Sequence, residues 1–473
     1  MSSAPTSLYR ALAAELRLAL QSGAFPAGSR LPSVRQLCAS HGLSLATVTH
    51  ALHELEDAGL IEARARRGYF ACAPVARPAP VLSAATALAL DERRQRLMSL
   101  AASQAGVLSL GHLGLAPSWL PLAALQRLLA RQLRRHPALL AQGLVHGSLA
   151  LREQLALRAS RLACDYSAED IVVTQGEGES LQLCLRLLSQ PGDAVVVSGP
   201  TSLRTLELIV SMGRRVLELP PGLTGSQTVQ ALDELMQTQA PAACILEPVL
   251  DRVTGASWAD ADKQALAALL AHHRLPLLEC DLLGDLHHGA YRPRPVKAFD
   301  RDDRVLYCGS FACSTGPGFN VGFIASHRHH LRLRAERAVH GELLPALMDQ
   351  VLAAFLAEGG FDAHLRRLRR RLKLELQRLI QAVLHHFPVG SRVSGSEGGY
   401  VLWVELPEGL DACALLEQAR ARGCNFLPGA VFSQGRQFDH CLRLTASQPW
   451  DAERETAVRM LGQLACAMQQ DRA

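Results

Sequence analysis

The residues between Tyr307 and Gly322 are small and polar in a way that suits chemistry at a strand end. An apolar run, Val305 to Cys308, leads into a loop whose glycines at 309, 316, 318 and 322 let backbone and ligand approach closely. Ser310, Cys313 and Asn320 carry its hydroxyl, thiol and amide. A thiol attacks as the thiolate, and neither Lys nor His adjoins Cys313 to lower its pKa, so a small filler is expected there in preference to a reactive sulfur. A second stretch, Thr174 to Ser180, opens a helix with Gly176 and Gly178, a weak signal for an anion cradle. Glu177 and Glu179 work against a phosphate in that place. Asp281, after another apolar run, has two readings: a carboxylate for a cationic ring or amine, or a satisfied core carboxylate. From His364 to Lys373 the chain holds Arg366, Arg367, Arg369, Arg370 and Arg371. Leu365, Leu368, Leu372 and Leu376 give this run a helical seam, so it reads as a solvated basic face in preference to a binding surface for a polyanion.

These groups need a large scaffold. The chain has 473 residues and is 48% hydrophobic, enough for about three domains or lobes at roughly 150 residues each. No basic-then-apolar leader and no run of about 18 apolar residues occurs, so no membrane association is expected. Twelve scattered cysteines without a C-x-x-C pair suggest reduced thiols in a cytoplasmic protein and no metal site. The formal charge of +5 is too small to name a nucleic-acid partner by itself. Lysine occurs only at 263, 297 and 373, so the positive charge is carried by arginine, the better fork for phosphate and carboxylate.

From about Leu108 short apolar runs alternate with amphipathic helices. Ile171 to Val173, Ala194 to Val197, Cys244 to Leu246, Pro276 to Leu278 and Val305 to Tyr307 read as strands of an α/β body with a mostly parallel, doubly covered sheet. Ligands of such sheets sit beyond the C-terminal strand ends. Pro74 to about Ser103 changes character, with Pro74, Pro78 and Pro80 at its start, and reads as a semi-rigid spacer.

Residues 7–72 form a separate unit. Leu8, Ala11, Leu12, Leu16 and Leu20 recur at helical spacing, and Gly23 with Pro26 to Gly28 ends that helix. Pro32 and Ser33 start a second helix, Gly42 turns the chain, and Ser44 is placed to cap a third. Val48, Ala51, Leu52 and Leu55 form the buried face of the third helix. Two short strands, Leu60 to Ala63 and Tyr69 to Cys72, flank the turn Arg64 to Gly68. Helix, turn, helix and hairpin is the order of a winged helix-turn-helix. Ser44, Ala46, Thr47 and His50 would face base edges, while Arg35, Arg64, Arg66, Arg67 and Gly68 would hold phosphates.

The head resembles the GntR family of bacterial regulators. Leu31 to Leu37, Gly42 to Ser44, Thr47-Val48, Leu55 to Leu60 and Gly68 to Phe70 match its pattern. One departure is Leu45, where the family often has Arg. From about residue 106 the order of turns resembles the fold-type I aminotransferases, and the two together resemble the MocR subfamily. That resemblance implies a DNA-binding head (1–75), a linker (76–105) and an aminotransferase-like domain (106–473). The large lobe of that domain would span about 145–345, and the small lobe 106–144 and 346–473. It implies a homodimer on double-stranded DNA, a possible small-molecule effector, and pyridoxal 5'-phosphate as cofactor. Asp281, Ser310 and Arg443 stand where the family pairs the ring nitrogen, the phosphate and a substrate carboxylate. Gly176 and Gly178, the weak cradle noted above, are counted with the cofactor-like pocket. Cys313 replaces the Schiff-base Lys, Asn320 the phosphate Arg, Ser202 the stacking aromatic and Arg252 the Asn of the N-P-T-G turn. Val253, Leu282 and Gln142 depart likewise. Losing one charged phosphate partner costs roughly 1.5–3 kcal/mol, and a thiol cannot replace the amine. The expectation is a regulator without transamination. The alternative is a pyridoxal-phosphate enzyme or a regulator that senses the cofactor.

Overall fold

The computed structural model describes residues 8–21, 25, 28–57, 60–64, 67–71, 95–96, 99, 107–395 and 397–471. The expected ends of the first helix at Gly23, Pro26 and Ala27, nearly all of the spacer, and the wing residue Arg66 lie outside them. The chain divides into two compact units, Met1–Glu92 and Arg93–Ala473.

In the first unit α1 (Leu8–Gln21), α2 (Val34–His41) and α3 (Leu45–Asp57) precede a hairpin of β1 (Ile61–Arg64) and β2 (Gly68–Ala71). Local chemistry sets the boundaries. Ser33 and Gln36 form a reciprocal capping box that starts α2. Gly42 closes α2 at φ +62°, a left-handed position that suits glycine. Leu12, Leu16, Leu31, Leu37, Val48, Leu52, Leu55 and Ile61 are buried together, each contributing about 1.5–3 kcal/mol of transfer free energy.

The second unit is built on a seven-stranded sheet. In chain order its elements are α4 (Leu122–Arg135), α5 (Leu149–Ser160), β3 (Ile171–Thr174), α6 (Glu177–Leu188), β4 (Ala194–Gly199), α7 (Leu203–Ser211), β5 (Arg215–Pro221), α8 (Gly225–Met236), β6 (Ala243–Leu246), α9 (Asp260–His273), β7 (Leu277–Asp281), β8 (Val305–Ser310) and β9 (Gly322–Ala325). The spatial order is β3-β9-β8-β7-β6-β4-β5. Four of the six pairings are parallel, and β9 runs antiparallel to both β8 and β3. The strands at 171, 194, 243, 277 and 305 match the apolar runs, while β5 and β9 add two that the runs did not announce. The reading of everything after Cys308 as loop is also corrected. Gly309 and Ser310 continue β8, and Ala312–Thr315 is one helical turn.

The chain then forms α10 (His330–His340), α11 (Ala346–Ala357) and the 27-residue α12 (Gly360–His386). A four-stranded antiparallel sheet follows, from β10 (Arg392–Ser394), β11 (Val401–Glu405), β12 (Leu427–Pro428) and β13 (Cys441–Thr445), with α13 (Ala412–Arg420) and α14 (Ala452–Gln470) beside it. The bridge between Leu108–Ser109 and Cys424–Asn425 ties the start of this unit to its end. Among the described residues no helix is long and apolar enough to cross a membrane.

Candidate functional site

Two sets of residues were expected to act, one in each unit. In the first unit α3 is buried on Val48, Ala51, Leu52 and Leu55. That packing turns Ser44, Leu45, Ala46 and His50 outward, with Thr47 half-buried. The Ser44 hydroxyl accepts from the Thr47 backbone N–H at 3.2 Å and pairs with the Thr47 hydroxyl at 2.8 Å, so both are ordered before any ligand arrives. Leu45 is 63% exposed at the start of the helix, an apolar side chain facing outward. His50 is partly committed, since its ring meets Tyr9 edge-on at 4.2 Å. Arg35 is exposed in the first turn of α2. In the wing, Arg67 and Gly68 are exposed, and Gly68 holds φ +99°. Arg64 is already engaged: its Nε donates to Glu62 at 2.6 Å and its guanidinium covers the Phe70 ring at 4.4 Å. Arg30 lies against Gly68 and pairs with Phe70, a basic group at the wing base that the sequence reading passed over.

In the second unit most of the residues expected in the cofactor-like pocket are held by partners of the chain's own. Glu177 is the first residue of α6, where the turn at Gly176 (φ +82°) offers its backbone. Its carboxylate pairs with the buried Arg252, which also donates from Nε to Glu247 at 2.6 Å. The negative charge favoured at that helix N-terminus is thus supplied from within. Burial pushes the Glu247 carboxyl up to about 7, and Arg252 only partly offsets it. Asn320 donates from Nδ2 to the Gln175 carbonyl at 3.3 Å and lies directly on Gly176. Gly178 lies under the Arg204 guanidinium. Ser202 is spent as the cap of α7, accepting from the Thr205 backbone N–H at 3.2 Å. The Ser310 hydroxyl accepts from the Ala312 N–H at 3.3 Å.

Asp281 resolves to the satisfied reading. Its carboxylate accepts from Arg292 at 2.7 Å, the Tyr307 hydroxyl at 2.7 Å and the Gly284 N–H at 3.0 Å. Neither Arg292 nor Tyr307 was singled out as its partner in the sequence. Burial pushes the Cys313 thiol up, against a weaker pull from Tyr400, which fits an unreactive filler. Arg443 is 4% exposed without a carboxylate partner among the described residues. It donates to the carbonyls of Gly111 at 3.0 Å and Arg252 at 3.3 Å and lies over the Phe432 ring at 4.9 Å. Burial, with repulsion from Arg252, brings its guanidinium down to about 10.

The residues present do not fit pyridoxal phosphate. The ring-nitrogen partner is neutralised by Arg292, and the helix N-terminus is matched by Glu177. The three lysines are elsewhere: Lys297 is held by Asp300 at 2.9 Å and by Asp303, Lys263 is buried near Asp260, and Lys373 is exposed on α12. Among the described residues no cluster of three or more metal-ligating side chains occurs. The basic face of α12 is exposed at Arg366, Arg367, Arg370 and Arg371, but Arg369 turns inward to donate to the Asp285 carbonyl at 2.6 Å, a correction to the uniform solvated face.

Known proteins agree with both units. Residues 8–70 match the family model for bacterial regulatory proteins of the gntR family. An HTH-type transcriptional regulator of Escherichia coli K12, YdcR, is 32% identical over 460 residues, covering 96% of this chain and 98% of its own. The probable rhizopine catabolism regulatory protein MocR of Rhizobium meliloti is 26% identical over 92% of this chain and 88% of its own. Among solved structures, the α-aminoadipate aminotransferase LysN of Thermus thermophilus superposes with a TM-score of 0.71 at 25% identity, covering 80% of this chain and 95% of that one. A multiple-substrate aminotransferase of Thermococcus profundus gives 0.73 at 24% identity, over 80% and 95% of the two chains, and shows the shared fold. The chain belongs to the GntR-type transcriptional regulators of the MocR kind, in which a helix-turn-helix DNA-binding head is joined to an aminotransferase-like domain.

Proposed function

We propose that this regulator grips double-stranded DNA as a homodimer, in the cytoplasm, and that its aminotransferase-like domain pairs the two chains and senses a small molecule without pyridoxal phosphate. Residues 1–75 form the head in this reading, 76–105 the linker and 106–473 the body. The start of α3 reads bases through Ser44, Ala46, Thr47 and His50. Arg35, Arg67 and Gly68 hold phosphates, and Arg64 braces the wing more than it binds. The observation that carries the cofactor-free reading is the saturation of Asp281 by Arg292, Tyr307 and Gly284. A ring nitrogen would meet a carboxylate whose charge Arg292 already balances, which weakens what the pair would gain.

Leu140, Val339 and Leu343 are 72%, 76% and 60% exposed beside the short ladder that joins Leu144 to Leu344. Exposed apolar side chains gathered around one ladder support an interface between two copies. Selection of binding sites from randomised duplex DNA by the full chain, with and without pyridoxal phosphate, tests the reading. It predicts the same paired half-sites in both pools. No enrichment would overturn the DNA-binding role, and enrichment only with the cofactor would overturn the cofactor-free body.

A further inference from the structure

Behind Asp281, on α5 and α12, lies a cavity of about 270 Å³. It shares Asp281 and Ser310 with the cofactor-like pocket, but none of Ser202, Arg252, Cys313, Asn320 or Arg443 lines it. Leu155, Leu162, Phe311 and Phe323 give it apolar walls, Tyr166 and Tyr307 line it, and Tyr291, 89% exposed, also contributes.

Its charge does not balance. Arg158 pairs with Asp362 at 2.7 Å and Asp285 at 3.4 Å, and Arg161 pairs with Asp362 at 3.3 Å. Arg292 pairs with Asp281 and Asp285, both at 2.7 Å. Three carboxylates therefore meet three guanidinia, and the fourth guanidinium lining the cavity, Arg369, has no carboxylate within ion-pair distance among the described residues. Its Nε is fixed on the Asp285 carbonyl at 2.6 Å, which leaves the other face of the fork for a ligand. Burial disfavours its charge, the nearby Asp285 and Asp362 carboxylates offset part of that, and Arg292 and Arg158 add repulsion.

We propose that this cavity binds a small organic anion, a carboxylate on an apolar or aromatic body, with Arg369 as its charge partner. An unpaired cation in a concave site with apolar walls is what such a ligand completes. A bare inorganic anion would leave the apolar walls unused, and a cation would face a positive excess. The proposal rests on reading the body as a sensing domain. Its test needs no DNA, so its failure and a failure of the DNA-binding role are distinguishable.

Isothermal titration of the full chain with benzoate, inorganic phosphate and benzylamine tests it. Benzoate is expected to bind once per chain, and phosphate and benzylamine to bind much more weakly. Arg369→Gln is expected to weaken benzoate about tenfold or more. Ala159→Leu, which grows into the cavity, is expected to do the same with the fold checked by circular dichroism, so the site stays testable if the arginine variant folds poorly. No benzoate binding, equal binding of phosphate, or binding lost in Arg443→Met but kept in Arg369→Gln would each overturn the proposal.

Discussion

Arg292 and Asp281 state the residue-scale account most compactly. A carboxylate reserved for a ligand costs the empty protein nothing when neutralised, whereas one that already holds a guanidinium and a phenol does. Asp281→Asn is therefore expected to lower stability by roughly 1–3 kcal/mol, read from urea midpoints. An unchanged midpoint would mean that the carboxylate serves something other than the fold. His287, 4% exposed, gives a prediction about pH. Burial first, then the charges of Arg369 and Arg292, brings its pKa down from 6.5 to about 4. The unfolded chain takes up that proton below pH 6.5 and the folded chain does not, so stability is full above 6.5 and falls as pH drops towards 4. His287→Gln is expected to flatten that limb, each such group contributing at most ~1.4 kcal/mol per pH unit. At the head, Arg35→Ala is expected to weaken binding to all duplexes alike and reduce the salt slope by about one, measured by anisotropy across a salt series. An unchanged slope would remove Arg35 from the phosphate contacts.

At the scale of elements, α3 depends on the residue that caps it, Ser44. Ser44→Ala removes the cap and is expected to cost about 0.5–2 kcal/mol of head stability, followed by thermal melting. The head was legible because its punctuation is local: Ser33, Gly42 and Ser44 act within three or four residues of themselves. Five strands of the body were legible for the same reason, as continuous buried runs such as Val195 to Val197. Two were not. Strand β5 is an edge strand with exposed ends and few buried side chains, and β9 is four residues long and follows directly on the loop. The partners of the pocket were hidden for a different reason. Arg292 reaches Asp281 only after the 282–291 turn folds back, and Glu177 meets Arg252 across 75 residues of chain. No spacing rule reports such a closure. Leu45, Cys313 and Asn320 could be read as departures, but what fills the gap they leave is set by tertiary packing.

At the scale of the whole molecule, two units of different sequence character share one chain. The proposed dimer would give the head a twofold mate, and Leu140, Val339 and Leu343, beside the ladder of Leu144 and Leu344, are exposed in the single chain. Leu343→Glu is expected to shift the protein from dimer to monomer in sedimentation velocity and to weaken DNA binding through loss of the second half-site. A dimer of unchanged stability would move the interface elsewhere. The central claim is that the aminotransferase-like body has its cofactor site matched from within by Arg292, Glu177 and Arg252. Intact-mass analysis of the purified chain, after one equivalent of pyridoxal phosphate and borohydride reduction, tests it most directly. The account predicts an unmodified mass, and a stoichiometric adduct on any of the three lysines would contradict it.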